Sequence, residues 1–506
     1  MLKIAENANP NYLASIEKIT EVFPIEGADR LVRTVIGGFD MVVSKDMEPG
    51  DYVVYFPVET QICDKFLSRN NLYEFSEAHL NANYEYVQDL MTKANAATSA
   101  DEAKELIAKV KSMCGFFSKK RRVRMLKLRG QYSMGFVIPV GALFHAYPEL
   151  QIELNVNDDL VGTRFNMVGD EEICCKYIPL GKTPGENTHH TGDRGQWKKL
   201  MRKTIKRFDK LIEGQFTFHY DTKQLQQDID ILKPDDQITL TTKVHGTSVI
   251  LANVLCNRKL TRWEKIKKFF GCKVQETEYS NIYSSRKVIK NRYINPKAQD
   301  YYSTDVWGSC NNVFSQFITP GMTVYGEIVG YCENSNTMIQ KNHDYGCRPG
   351  QWKFMPYRIT LTAKDGSKSE FNVVEVMEWV DYILMEFGNK PAYGGYKISD
   401  ILMRMDMRFI GRVCEMYPNL TYDENWHANL LELMKNDKEM LGMELDEPMC
   451  KNKVPREGVV LRLLNDPIAR AWKLKAKRHF ALEAKRHFAL EAEQHDNGEV
   501  DMEEIN

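Results

Sequence analysis

The sequence predicts an α+β protein: an N-terminal OB-like β-barrel, then a larger antiparallel-sheet domain, both interrupted by helical insertions. Three observations lead there. Short β-rich runs punctuated by Gly and Pro turns fill 1–180 and return across 216–475. Residues 76–118 and 375–450 instead have helical composition and spacing. Between the two β-rich regions, 181–215 opens with GKTPGENTHHTGDRGQ, a Gly/Thr-rich charged stretch that reads as a linker and turns into a basic helical run. At 506 residues, 43% hydrophobic and 27% charged, the chain can bury cores in two to four domains.

In the first domain Leu31–Ile36 and Asp51–Phe56 are strand candidates, with Gly37-Gly38 and Pro49-Gly50 as turns. Ser99-Ala100-Asp101-Glu102 opens a helix within the 76–118 insertion. The β pattern resumes at Arg122–Arg129, where Arg122 and Arg124 share one strand face and Lys127 and Arg129 another. Short strands with a basic face suit a small nucleic-acid-binding barrel, although an ordinary β-barrel fits this stretch alone equally well. In the second domain Gln237–Thr242, Met322–Gly330, Tyr357–Thr362, Glu457–Leu463 and Trp472–Lys475 are strands. The stretch 375–450 reads as mainly helical, with Met377, Val380, Ile383 and Leu384 at helix spacing. Residues 476–506 form the tail. AKRHFALE occurs twice there, at 476–483 and 484–491, and reads as an extended terminal helix with an acidic end.

The net charge of −1 sets up no global attraction for nucleic acid. Charge is segregated locally. Basic runs occupy 119–129, 198–207 and 258–273, interleaved with Trp197, Phe208, Trp263, Phe269 and Phe270, a pattern suited to tracking phosphates and stacking bases. Any one run could be a solvated face. The eleven cysteines include no CxxC pair, and there is no HExxH, so neither a disulfide framework nor a zinc site is indicated. With no secretory layout and no long apolar run, a soluble cytoplasmic protein is expected.

Lys243-Val244-His245-Gly246-Thr247-Ser248 directly follows a predicted strand. This hexapeptide resembles the nucleotidyl-lysine motif of the covalent nucleotidyltransferases, in the KxHG form of the RNA ligase 2-like branch. Ser284-Ser285-Arg286, Val324-Tyr325-Gly326-Glu327, Phe354-Met355-Pro356-Tyr357, Glu457-Gly458-Val459-Val460 and Trp472-Lys473-Leu474-Lys475 follow in that family's order. Leu126–Ser133 is similar to the N-terminal OB module of its nick-sealing branch. DNA ligases and capping enzymes place an OB domain after the last motif, and only 506 − 475 = 31 residues follow Lys475. Two positions depart from the family pattern: Thr242 stands where relatives often have glutamate, and Ser248 where some have asparagine.

The resemblance implies an ATP-dependent RNA ligase that joins RNA 3′-OH and 5′-phosphate ends through lysyl-AMP and RNA-adenylate, in RNA repair and nick sealing. It implies Lys243 as nucleophile, and His245, Gly246, Arg286, Glu327, Tyr357, Glu457, Lys473 and Lys475 around the nucleotide. Phe354 is the alternative to Tyr357 for adenine stacking. Mg2+ or Mn2+ would be held partly by Glu457, and Arg122, Arg124, Lys127 and Arg129 would contact RNA, with a nicked duplex or RNA–DNA hybrid as partner. Singly, Glu327 could be a structural carboxylate, Arg286 a surface ion pair, Glu457 a turn cap and Tyr357 a core residue. The alternative functions are mRNA guanylyltransferase, DNA ligase and a non-catalytic RNA-binding pseudo-ligase.

Overall fold

The structure is a computed structural model that describes residues 2–6, 8–75, 80–97, 99–153, 156–177, 210–219, 222–291, 302, 304–467 and 469–483. It divides into two compact units, Met1–Pro179 and Leu180–Asn506. Among the described residues no helix is long and apolar enough to cross a membrane.

The first unit is mainly antiparallel β. Its strands are β1 (Ala14–Lys18), β2 (Leu31–Ile36), β3 (Phe39–Ser44), β4 (Tyr52–Pro57), β5 (Thr60–Ile62), β6 (Leu126–Leu128), β7 (Gln131–Ser133), β8 (Gly135–Pro139), β9 (Arg164–Phe165) and β10 (Cys174–Lys176). A four-stranded sheet runs β8-β4-β1-β9, β2 pairs β3, β5 pairs β10, and β6 pairs β7. Val54, Phe56, Ile16 and Phe165 meet in its core with Phe66 and Leu67 of helix α1 (Asp64–Arg69). Helices α2 (Tyr84–Ala96) and α3 (Ala100–Ser112) interrupt the strands and bury a small core of their own, Val87, Leu90 and Val110. Ser99 caps α3, its side chain accepting from the Glu102 N–H.

One expectation fails in this unit. Arg122–Arg129 is not a continuous strand: Arg122 makes an isolated bridge to Gln61, and only Leu126–Leu128 is regular strand. Arg122 is buried, with Nη2 2.6 Å from Glu59 Oε1 and its guanidinium over the Tyr177 ring. The carboxylate and the aromatic face hold the guanidinium inside the unit, away from the solvent-facing strand face expected of it. Arg124 is half-buried, whereas Lys127 and Arg129 are exposed on the β6–β7 hairpin. The basic run at 198–207 and the second AKRHFALE copy lie outside the described residues.

The second unit contains two five-stranded sheets. The first has order β11-β20-β19-β12-β18, from β11 (Lys223–Gln224), β12 (Gln237–Lys243), β18 (Met407–Arg412), β19 (Gly458–Leu463) and β20 (Ala471–Lys475). The second has order β14-β13-β15-β16-β17, from β13 (Thr247–Asn257), β14 (Thr277–Ser284), β15 (Met322–Gly330), β16 (Trp352–Thr362) and β17 (Lys368–Glu370). All pairings are antiparallel except the short β11–β20 pair.

Helix α4 (Arg262–Phe269) joins β13 to β14, and helices α5 (Val306–Phe314) and α6 (Val373–Phe387) flank the second sheet. The 375–450 stretch is less helical than expected. After α6 come a one-turn helix at Ile398–Ile401, then β18, which takes its hydrogen bonds from the free edge of β12, then a one-turn helix at Val413–Met416 and helix α7 (Trp426–Asn436). A strand of six residues beside helices is hard to separate from them by periodicity alone.

Candidate functional site

β12 and β13 belong to different sheets, and Val244–Gly246 is the short link between them. The link therefore stands where the chain crosses from one sheet to the other. Strand register then lines up the chemistry. Lys243 pairs with Gly458 on β19, and Gly458 pairs with Lys475 on β20. On β20 the alternation sends Trp472 and Leu474 into the core and leaves Lys473 and Lys475 on the opposite face. Gly458 is required by space: its φ is +138°, and an added Cβ would lie 2.1 Å from the Leu474 carbonyl oxygen.

Glu457 is the centre of the cluster. Its buried carboxylate takes Lys243 Nζ at 2.8 Å and Lys475 Nζ at 3.5 Å, both on Oε1. Its Oε2 has no hydrogen-bond partner and faces His245 Nδ1 at 3.8 Å. Burial pushes the Glu457 carboxyl upward, but Lys243, Lys475, His479 and His245 outweigh it and hold the group well below the usual carboxylate range. Lys475 is also gripped by Glu483 at 2.7 and 3.0 Å. Glu457 thus stays charged, with Oε2 making no hydrogen bond.

The other sheet supplies a second wall. Ser248 pairs with Glu327, which pairs with Met355. Gly246 passes so close to β15 that a Cβ would lie 2.4 Å from the Ile328 carbonyl oxygen and 2.8 Å from Glu327 Cγ. Desolvation pushes the Glu327 carboxyl up to about 7; Lys243, Arg286 and the Gly246 N–H oppose that rise, and Glu457 adds to it. Tyr357 sits half-buried, its hydroxyl 3.0 Å from His219 Nδ1 and 3.5 Å from Ser248 Oγ. Phe354, the alternative for stacking, is fully buried against Phe314, with ring centroids 5.0 Å apart. Phe354 therefore belongs to the core, and Tyr357 is the aromatic with an accessible edge. The Arg462 guanidinium stands 6.0 Å from the Tyr357 ring and bonds the Tyr357 carbonyl, tying the sheets together.

Lys243, His245, Gly246, Glu327, Glu457 and Lys475 are thus brought together, and Arg286 is near enough to act on both Glu327 and Tyr357. Lys473 lies on the same strand face, two residues from Lys475. Sequence reasoning missed His343, Tyr345, His479 and Glu483. The Tyr345 hydroxyl accepts from the His245 N–H at 2.6 Å, and the His245 ring lies 5.0 Å from the His343 ring and 4.9 Å from that of His479. His479 and Glu483 fall in the first AKRHFALE copy. Residues 477–483 are helical, as expected, but they turn inward: His479 is fully buried beside Glu457. Ala476, His479 and Glu483, spaced for one helical face, were the available signal. The Thr242 departure also finds a partner, since its hydroxyl donates to Asp406 Oδ2 at 2.7 Å.

The Glu327 environment gives a pH prediction. A carboxyl whose folded pKa exceeds its ordinary 4.5 binds its proton more tightly in the folded state. Its contribution to stability is present below pH 4.5 and is lost as pH rises through about 7. Glu327→Gln, which cannot ionise, escapes that loss. Relative to the parent protein it gains about 1–2 kcal/mol between pH 5 and pH 8, discounted for partial exposure. Urea unfolding of both proteins at the two pH values checks this, and a gap that does not change with pH counts against it.

A family model described as an OB-fold domain matches residues 13–92. No curated protein matches the chain. Among solved structures, a mutant Naegleria gruberi RNA ligase with ATP and Mn is 15% identical, with 94% of this chain and 99% of that chain covered and a TM-score of 0.47. Another mutant of that ligase, with AMP and Mn, is 16% identical over 94% and 99%, with a TM-score of 0.48. The same ligase with PPi is 15% identical over 94% and 99%, with a TM-score of 0.47.

Proposed function

We propose that the protein is an ATP-dependent RNA ligase that joins RNA ends through AMP carried on Lys243. The observation that carries this reading is the Lys243 amine, 2.8 Å from a buried carboxylate and in strand register with a second lysine. An amine must be neutral to attack. Glu457 lies within hydrogen-bond reach and orients it. Nζ then forms a bond to the α-phosphorus of ATP, the bond to the bridging oxygen breaks, and pyrophosphate leaves. Lys475, and Lys473 on the same face, meet the negative charge that develops on the α-phosphate. Glu327 is placed to accept from ribose hydroxyls and Tyr357 to pack against the base. A divalent cation, held in part by Glu457, would supply charge neutralisation at the phosphates. AMP would pass to an RNA 5′-phosphate, and a 3′-hydroxyl would displace it. Intact-mass spectrometry after incubation with ATP and magnesium tests the first step: a gain of one AMP is expected. No adduct, after pyrophosphate treatment to clear prior AMP and a repeat with manganese and GTP, would sink the mechanism.

RNA as acceptor draws on two surfaces, one in each unit. In the first unit Lys127 and Arg129 are exposed on the β6–β7 hairpin. In the second, α4 and its C-cap residue Phe270 present Trp263, Phe269 and Phe270 at 75%, 84% and 75% exposure, among Arg262, Lys265 and Lys267. Aromatic faces open to solvent beside cations suit stacked bases and phosphates. Ser248 and Asn257 are nine residues apart on β13, so α4 stands about 30 Å along the strand from the site, within reach of one polynucleotide. The triple Trp263→Ala, Phe269→Ala, Phe270→Ala variant should lose about tenfold or more in affinity for a labelled single-stranded RNA, measured by fluorescence anisotropy. Unchanged affinity would detach α4 from substrate binding.

A further inference from the structure

His479, beside Glu457, has no assigned role in nucleotide transfer. His479 is fully buried; its Nδ1 makes no hydrogen bond, and its Nε2 stands 3.4 Å from Glu483 Oε1. Glu457 Oε2 is buried and equally without a hydrogen bond. Buried polar atoms are almost always paired, so adjacent unpaired ones on a histidine and a carboxylate call for a common partner. His245 completes the group. Its Nδ1 is 3.8 Å from Glu457 Oε2, and His479 Nε2 is 3.9 Å from Glu457 Oε1. One donor atom from each of the three residues lies within 4.8 Å of the other two. Bonds of about 2.0–2.1 Å in tetrahedral array put donors about 3.4 Å apart, so side-chain rotations closing about an ångström would bring the three onto one ion.

We propose that His245, Glu457 and His479 form a nitrogen-rich site for a divalent transition-metal ion of the Mn2+, Co2+ or Zn2+ class, and that it discriminates against Mg2+. Two imidazoles and one carboxylate are a donor set that Mg2+ binds poorly, since Mg2+ prefers oxygen and gives up water reluctantly. The neighbouring cations are accommodated: Lys243 pairs with Oε1 and leaves Oε2, while Glu483 neutralises Lys475. Three protein donors leave coordination positions open. The proposal deepens the ligase reading, on which the ion's role at the phosphates rests; its binding does not. It also gives the first AKRHFALE copy a purpose, since that copy brings a third donor to a centre whose other two lie on separate strand ends.

The test is Co2+ titration of the chelator-treated full-length protein without nucleotide, followed by visible absorption. The expected result is one equivalent bound with the spectrum of nitrogen ligation, displaced by Zn2+ and not by a large excess of Mg2+. His479→Gln and His245→Gln should each weaken Co2+ binding by about tenfold or more, with thermal melting of the metal-free proteins confirming the fold. Nitrogen hyperfine coupling to bound Mn2+ provides a check on the parent protein alone. Absence of stoichiometric Co2+ binding, displacement by Mg2+, or affinity unchanged in both variants overturns the proposal. Adenylation with ATP and Mn2+, an ion the proposed site accepts, is scored separately. An AMP adduct without Co2+ binding removes the metal site and leaves the ligase; Co2+ binding without an adduct does the reverse.

Discussion

A Lys243→Ala variant takes up no AMP from ATP, and its sealing of 5′-phosphate RNA falls by more than about 10^4-fold. No neighbouring amine can replace it. Lys475 is held between Glu457 and Glu483 and is nine-tenths buried. The fold should survive, because Glu457 keeps Lys475 when Lys243 is removed, and Lys243 itself is a quarter exposed. A loss of about 1 kcal/mol is expected in urea unfolding. Chemically pre-adenylated RNA bypasses the missing step, so supplying it should restore part of the sealing. Adduct formation on the Ala variant, read by intact mass, would place the nucleophile elsewhere.

The second large effect is on stability and activity together. Glu457→Gln removes the carboxylate that faces Lys243, Lys475, His245 and His479. Breaking a buried pair by deleting one partner leaves uncompensated charge and costs about 3–5 kcal/mol. The amide is nearly the same size, so the loss reports charge rather than a cavity. Adenylation should fall by about 10^2-fold or more, because the amine loses its orienting acceptor. Glu483→Gln is the comparison. Lys475 then retains Glu457 at 3.5 Å, and the cost should be clearly smaller. Equal, small losses in the two variants at pH 7 would show that Glu457 is not the electrostatic centre of the cluster.

Five of the ten strands described in the second unit were legible in the chain, whereas β13 and β14 were not read from it. Met322–Gly330, and Leu31–Ile36 in the first unit, fall where alternation and turn residues place them, because a strand's period of two is a local property. Helix α3 was legible for the same kind of reason, from its Ser99 cap. The β18 strand was not, since its identity comes from the free edge of β12 some 165 residues earlier rather than from its own pattern. The sequence favoured Tyr357 over Phe354 as the stacking aromatic, and only the packing of Phe354 against Phe314 puts that ring in the core.

By itself the sequence determined which side chains were on offer: a lysine after a strand, followed in order by an arginine, glutamates, an aromatic and paired lysines. Tertiary structure alone decided which of them meet and in what state. Register across β12, β19 and β20 sets Lys243 beside Lys475, and burial with opposing charges holds Glu457 ionised while Glu327 rises to about 7. The same packing turned Arg122 inward onto Glu59 and drew His479 out of an unremarkable tail into the centre. Residue type is carried along the chain, whereas desolvation and charge pairing depend on neighbours supplied by distant segments.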